Sequence, residues 1–312
     1  MWLLLCILTL FTSCKRDNKS QPPLAEKINA VTDKQALYCE LSRPKYEKDL
    51  YVHSQCDGLL FTSLRGIGCG DVDVSVFQEL GRWYRDPSHD CFIADRAENG
   101  SDSSISKDML VGVFNYLWWA KDSKAVDDTI KYGEAHDWVM GDAETDADLI
   151  SKCLLSPGLI NILYDMQDEL DGGNLSSTRS TTDVIGRNTG FRAHLDVLHI
   201  LLSGSLYSGL ADSELETLKD QADREPYNAL FQASYHTFSD GNQDVAADLL
   251  LNEQYFPSDR LPTSDHRCEE YLFQRDKDDS DWAPCPDQGK IHSGTDLIFA
   301  ASVLNGGFLR GK

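Results

Sequence analysis

Residues 104–121 read SISKDMLVGVFNYLWWAK, and this stretch decides the fold. Ser104 or Ser106 can cap a helix here, and Asp108 in its first turn suits the positive end of the helix dipole. From Met109 to Trp119 the apolar side chains wrap nearly the whole circumference. Surface helices are greasy along one stripe only, so this pattern belongs to a helix buried inside a domain. Ser123 to His136 follows after a short break and keeps its charges on one side. An inner helix followed by a more polar outer partner is the unit to look for elsewhere.

The unit recurs in both directions. Downstream, Asp146–Leu155 precedes Pro157–Leu170, where proline suits a first helical turn. A Ser/Thr/Gly-rich stretch at 172–188 (GGNLSSTRSTTDVIGRN) then separates two halves. Beyond it come an apolar helix near Gly190–Leu206, a polar one at Ser213–Arg224, and a pair at Pro226–Ser239 and Asn242–Glu253. Phe256–Lys290 is polar with little periodicity, and an apolar helix near Ser293–Leu304 follows. Upstream, the pattern gives helices at Val72–Leu80 and Asp49–Leu64. Another lies near Pro23–Ala30, running on towards Cys39 and able to pair with the 293–304 helix. Strand-like alternation is scarce, and short connections imply antiparallel neighbours. About six helical hairpins result. The expected class is all-α, an (α/α) six-hairpin toroid or an incomplete toroid over residues 23–312 as one domain. A non-closed helical solenoid is the alternative, and no repeat of fixed period supports it.

The chain has 312 residues and a formal net charge of −22. That charge argues against a nucleic-acid partner, which requires clustered lysine and arginine. It also argues against a basic face for anionic lipid. No spacing of the histidines matches a metal motif, neither a GxSxG nor a P-loop is present, and no cofactor is expected. His194 and His199 flank Asp196 on one helix, but i and i+5 leave their side chains off a common face.

Trp2–Phe11 (WLLLCILTLF) is an apolar run ending in Phe11-Thr12-Ser13-Cys14, followed at once by KRDNKSQ. The run is too short to span a hydrocarbon core of about 20 residues. It resembles a bacterial lipoprotein signal, although Phe11 stands where Leu or Val is usual and no Lys or Arg precedes the run. The resemblance implies cleavage before Cys14, lipidation of its thiol, a tether at 15–22, and a place in the cell envelope on a bacterial membrane. An ordinary signal peptide or an uncleaved anchor are the other readings. Of nine cysteines, Cys6 and Cys14 lie in this segment and seven remain. An exported context favours disulfides. Cys268–Cys285 and Cys69–Cys91 are the short-loop pairings considered, with Cys153, in an apolar helix, left free.

QCDGLLFTSL (55–64), GRWYRDP (81–87), SISKDMLVGVFNYLWW (104–119), CEEYLFQRDKDDSDWAPCP (268–286) and HSGTDLIFAASVL (292–304) together resemble a group of bacterial six-hairpin toroid proteins. That group is similar in architecture to (α/α) glycosidases and polysaccharide lyases. The resemblance implies a toroid with a cleft at one mouth and carbohydrate as partner, by analogy of fold.

Glycoside hydrolysis needs two carboxyl groups and a lyase needs a base with a group that neutralises a uronate. Asp57, Asp108 and Asp296 are the catalytic candidates, with Asp57 and Asp108 the acid/base pair. Each has an ordinary alternative. Asp57 can be solvated, and Asp108 and Asp296 head helices whose dipoles favour an acid. Arg82, Trp83 and Arg85 place cations beside aromatics in one loop, as do Arg275 and Trp282. Such groups stack on sugars and hold carboxylates or hydroxyls. They also pin loops onto a barrel. His136 is a further ligand-binding candidate at a helix end, where histidine is favoured anyway. Two functions follow: a glycoside hydrolase or polysaccharide lyase acting on an exopolysaccharide, or a non-catalytic envelope lipoprotein that binds a glycan or protein partner.

Overall fold

Side-chain caps fix where several helices begin. Asp122 accepts from the Ala125 N–H at 3.0 Å and opens α4 (Ser123–Ala135). Ser156 accepts from Leu159 N–H and opens α5 (Pro157–Leu170), with Pro157 in the first turn. Asn228 does the same for Phe231 at the start of α8 (Ala229–Phe238). In α7 (Asp212–Arg224), Glu214 reaches back to accept from the Ala211 N–H at 2.9 Å. The remaining helices are α1 (Leu24–Asp49), α2 (Gly58–Cys69), α3 (Lys107–Ala120), α6 (Gly190–Leu206), α9 (Asp244–Leu251) and α10 (Thr295–Leu304).

A computed structural model describes residues 22–49, 58–84, 105, 107–141, 153–173, 175, 188, 190–239, 241–261 and 294–309. Helix accounts for 69% of these, and the strands are confined to one short hairpin, so the class is all-α.

Polar contacts give the helices their relative directions. Asn115 donates to the Leu198 carbonyl and Trp118 to Ser205 Oγ, so α3 and α6 run the same way. Leu60 lies against Gly112 and Tyr116 against Gly66, which makes α2 parallel to α3. His194 meets Phe231 and Gly204 meets Phe238, which makes α6 parallel to α8. The packing pairs are α2–α3, α3–α6, α6–α8, α8–α10 and α10–α2. α1 covers the joint between α2 and α10 and runs antiparallel to both, through Arg65–Ser42, Gln35–Ser302 and Asn305–Thr32. α4, α7 and α9 pack outside these helices. All ten helices contribute to one continuous apolar core.

Three local expectations need correcting. Val72–Leu80 is a 3-10 turn at Val74–Phe77 leading into a hairpin of β1 (Gln78–Glu79) and β2 (Arg82–Trp83). Asp73 caps the turn, and Leu80 and Gly81 both take positive φ (52° and 87°). The sequence is short and rich in valine, and a Leu-Gly pair with left-handed backbone closes a two-residue hairpin. A Cβ on Gly81 would sit 2.0 Å from the Asp128 carbonyl oxygen, so only glycine fits. Of the helix read over Asp49–Leu64, Asp49 is the last residue of α1 and Gly58–Leu64 open α2, while 50–57 lie outside the described residues. Cys69 pairs with Cys39 rather than Cys91, because antiparallel α1 and α2 bring their Cα atoms to 5.6 Å. Cys153 is buried and free. Cys268 and Cys285 lie outside the described residues, as does most of Asp146–Leu155.

Candidate functional site

The first turn of α3, the cap of α5 and the N-terminal half of α6 enclose a cleft of about 220 Å³. At roughly 30 Å³ per water, that is space for about seven waters. It is smaller than the ~300–1,000 Å³ usual for a drug-sized ligand and suits a group of monosaccharide scale. α3 supplies Lys107, Asp108 and Val111; α5 supplies Ser156 and Leu159. α6 supplies Arg192, Leu195, Asp196 and His199, and Asn188 lies just before it. Residues 192, 196 and 199 are four and three apart, so helical geometry puts them on one stripe.

Asp196 is the most perturbed group in the cleft. It is 9% exposed. Burial pushes its carboxyl up to about 6, opposed by a hydrogen bond from Asn188 and by the charges of Arg192 and Arg224. Asn188 Nδ2 donates to Asp196 Oδ2 at 2.8 Å. The Asn188 carbonyl in turn accepts from Gln221 Nε2 and Arg224 Nη2 of α7, each at 3.1 Å. An outer helix thus anchors the residue that orients the buried acid. Asp108 is only half-buried in the first turn of α3, where the helix dipole favours a negative charge. The two carboxyl groups share one cleft in unlike surroundings, Asp196 buried and Asp108 half-buried.

Comparisons with protein families, with curated proteins and with solved structures return no match. The site therefore rests on its own geometry.

Of the residues singled out in the sequence, Asp108 lines the cleft. Asp296 does not: it is 6% exposed in the first turn of α10, and one of its oxygens, Oδ2, has no hydrogen-bond partner. Burial pushes its carboxyl up to about 7, against two backbone N–H groups that favour the charged form. Trp83 is fully buried, with its indole N–H donating to Thr129 Oγ1 at 3.0 Å, so its ring faces belong to the core. Arg82 lies over the Tyr84 ring in the same hairpin. His136 is exposed at the end of α4, stacked on Tyr132 and hydrogen-bonded through Nδ1 to that residue's carbonyl. Neither hairpin nor His136 is part of the cleft wall. Asp57, Arg85, Arg275, Trp282 and Cys14 lie outside the described residues. The two α6 histidines face different surroundings. His199 lines the cleft, whereas His194 is buried with Asn228 Nδ2 at 3.0 Å from its Nε2.

Sequence reasoning missed Asp196, Arg192, Lys107 and Asn188. The available signal was a polar stripe at 192, 196 and 199 on an otherwise apolar helix. Among the described residues no group of three His, Cys, Asp or Glu side chains is placed to hold a metal ion. No described helix is long and apolar enough to cross a membrane.

Proposed function

We propose that this chain is an envelope lipoprotein that binds a glycan in the α3/α5/α6 cleft and cleaves it by acid–base chemistry. The observation that carries the reading is the presence of Asp108 and Asp196 in one cleft, with burial raising Asp196 to about 6, so that it holds a proton in mildly acidic conditions. In glycoside hydrolysis a protonated carboxyl gives its proton to the departing glycosidic oxygen while an ionised one serves as base or nucleophile. Asp196 takes the first role and Asp108 the second. Asn188 fixes the Asp196 oxygen, and Ser156 at the cleft wall offers a hydroxyl to a sugar.

The toroid is the architecture that accords with this site. It is supported by the parallel run of α2, α3, α6 and α8, by the cycle of packing through α10, and by antiparallel helices outside. Parallel inner helices bring their N-terminal ends, and so Asp108 and the start of α6, to one mouth. Export is supported by the Cys39–Cys69 disulfide, and the anchor by the run before Cys14. Incorporation of labelled palmitate that disappears in Cys14→Ala is the readout for that anchor.

The test of the cleft is a reducing-end assay on a panel of bacterial exopolysaccharides. Asp196→Asn and Asp108→Asn are each expected to lower kcat by about 100-fold or more, the usual scale for losing a positioned acid or base. Both should keep the circular dichroism spectrum of the parent. Activity should fall on the alkaline side as Asp196 loses its proton near pH 6. Full activity in both variants removes these roles. Binding without turnover in the parent protein leaves the cleft as a glycan-binding site only.

A further inference from the structure

Two cations line the cleft, Lys107 and Arg192, and among the described residues neither side chain forms a hydrogen bond or a close ion pair, the Arg192 charge acting on Asp196 only at longer range. The other lysines and arginines with described side chains are engaged. Lys27 and Lys34 bind carboxylates at 2.8–2.9 Å, Arg224 binds backbone carbonyls, and Arg82 and Lys121 lie over aromatic rings. The contrast is chemical. In a chain of net charge −22, lysine and arginine find a partner readily, and long surface side chains do so at little cost. The two left over sit at one concave site. Asp108 faces the same space but forms no ion pair with either.

We infer that the group held in this cleft is an anionic sugar, one bearing a carboxylate, sulfate or phosphate that bridges Lys107 and Arg192. The inference rests on the glycan reading above and narrows its substrate class. An anionic ligand approaching this molecule meets a repulsive field almost everywhere, so binding requires a local basic pair. Arg192 offers the planar fork that matches a carboxylate or sulfate in two bonds, and Lys107 offers a mobile point charge. The first turn of α3 adds the partial positive charge of a helix N-terminus to the same wall. The buried acid adds to this balance. Below about pH 6, where Asp196 holds its proton, the cleft sets Lys107 and Arg192 against Asp108 alone. A ligand's own negative charge gains more from these cations than a neutral hydroxyl does, because charge-assisted hydrogen bonds are the stronger ones.

The experiment is isothermal titration of the purified protein at low ionic strength with three classes of oligosaccharide of equal length. The first carries uronates, the second sulfates or phosphates, and the third is the uronate series with its carboxyls reduced to alcohols. The expected result is binding of at least one anionic class, with the neutral series weaker by about tenfold or more. That is the scale of one charge-assisted hydrogen bond. Binding should weaken with added salt, as screening requires. Arg192→Gln and Lys107→Gln should each cost the anionic ligand about tenfold, whereas Arg192→Lys should keep part of the affinity. Arg192 is exposed and Lys107 half-buried, and neither forms a hydrogen bond or close ion pair among the described residues, so the substitutions should leave the melting temperature in place. The salt dependence of the parent protein gives a readout free of any variant. Equal affinity for the reduced series, untouched by either variant, overturns the anionic class while the glycan cleft stands. Failure of every oligosaccharide to bind overturns both readings. The preferred anionic class distinguishes uronate from sulfate and phosphate.

Discussion

Asp296 places a carboxyl where water barely reaches, with Oδ2 lacking any hydrogen-bond partner. Burial raises its folded-state value to about 7, well above the ~3.9 of an unfolded aspartate. The folded chain therefore holds this proton more tightly than the unfolded chain. The associated stability is complete below about pH 4 and is lost as pH rises through about 7. At about 1.4 kcal/mol per pKa unit, the loss is on the order of 1–3 kcal/mol once some water entry is allowed. Asp196 contributes with the same sign but over a lower window, ending near 6. Asp296→Asn should thus flatten the fall in melting temperature between about pH 4 and 7, and be as stable as the parent or more so at pH 8. A variant profile parallel to the parent across that window refutes a titrating Asp296. The sequence made Asp296 legible as a carboxylate heading an apolar helix, but not whether a cleft or a sealed core surrounds it. The same limit explains Asp196, whose neighbours come from residues 188, 221 and 224, and Trp83, which sequence offers equally to a sugar or to Thr129. Side-chain type is local information, and solvent access is not.

α3 meets α2 at a point where side chains give out. A Cβ built on Gly112 would lie 2.4 Å from Leu60 Cδ1, 3.1 Å from the Leu60 carbonyl oxygen and 3.3 Å from its Cα. The Leu60 side chain can swing aside, but its backbone can move only with α2. Replacing a helical glycine by alanine ordinarily gains up to ~1 kcal/mol from helix propensity. Here overpacking of ~1–3 kcal/mol opposes that gain, and the backbone contacts make it the larger effect. Gly112→Ala should lower the urea midpoint with an unchanged m-value, corresponding to a net loss of about 1–2 kcal/mol. A raised midpoint would show that the two helices can part freely. Helices of this kind were readable in advance because their apolar periodicity and caps are local. The reading Gly190–Leu206 matches α6 in full, and Pro157–Leu170 matches α5. Val72–Leu80 reads as a helix because a 3-10 turn and a two-residue hairpin leave too few residues to show a period. Its real signals were Asp73 as a cap and Leu80-Gly81 as a turn.

At the scale of the molecule, the all-α class followed from the alternation of greasy and polar helices, while the partner of Cys69 depended on which helix lies beside α2. That neighbour is α1, and its position gives the disulfide its consequence. α1 fills the joint between α2 and α10, the first and last members of the packing cycle. Gln35 spans both, donating to the Gly68 carbonyl and to Ser302 Oγ at 2.8 Å each. Asn305 reaches back to Gln35 and Thr32. Buried Arg65 adds bonds to Ser42 Oγ and the Cys39 carbonyl while pairing with Asp71. The Cys39–Cys69 bond therefore ties α1, which covers this seam, to α2 on one side of it. Its 30-residue separation corresponds to about 3–4 kcal/mol in the chain-entropy account. For a chain of this size that is roughly 5–10 °C in Tm. Cys39→Ser with Cys69→Ser should lower Tm by that amount and leave the helical circular dichroism intact at 25 °C, because the Gln35 and Arg65 bonds remain. Hydrogen exchange should quicken first in α1, α2 and α10, and last in α3 and α6, which the crosslink does not touch. Uniform acceleration across all helices would mean that the disulfide acts on global unfolding and that the seam has no separate stability. An unchanged Tm would mean that the packing of α1 already closes the joint without it.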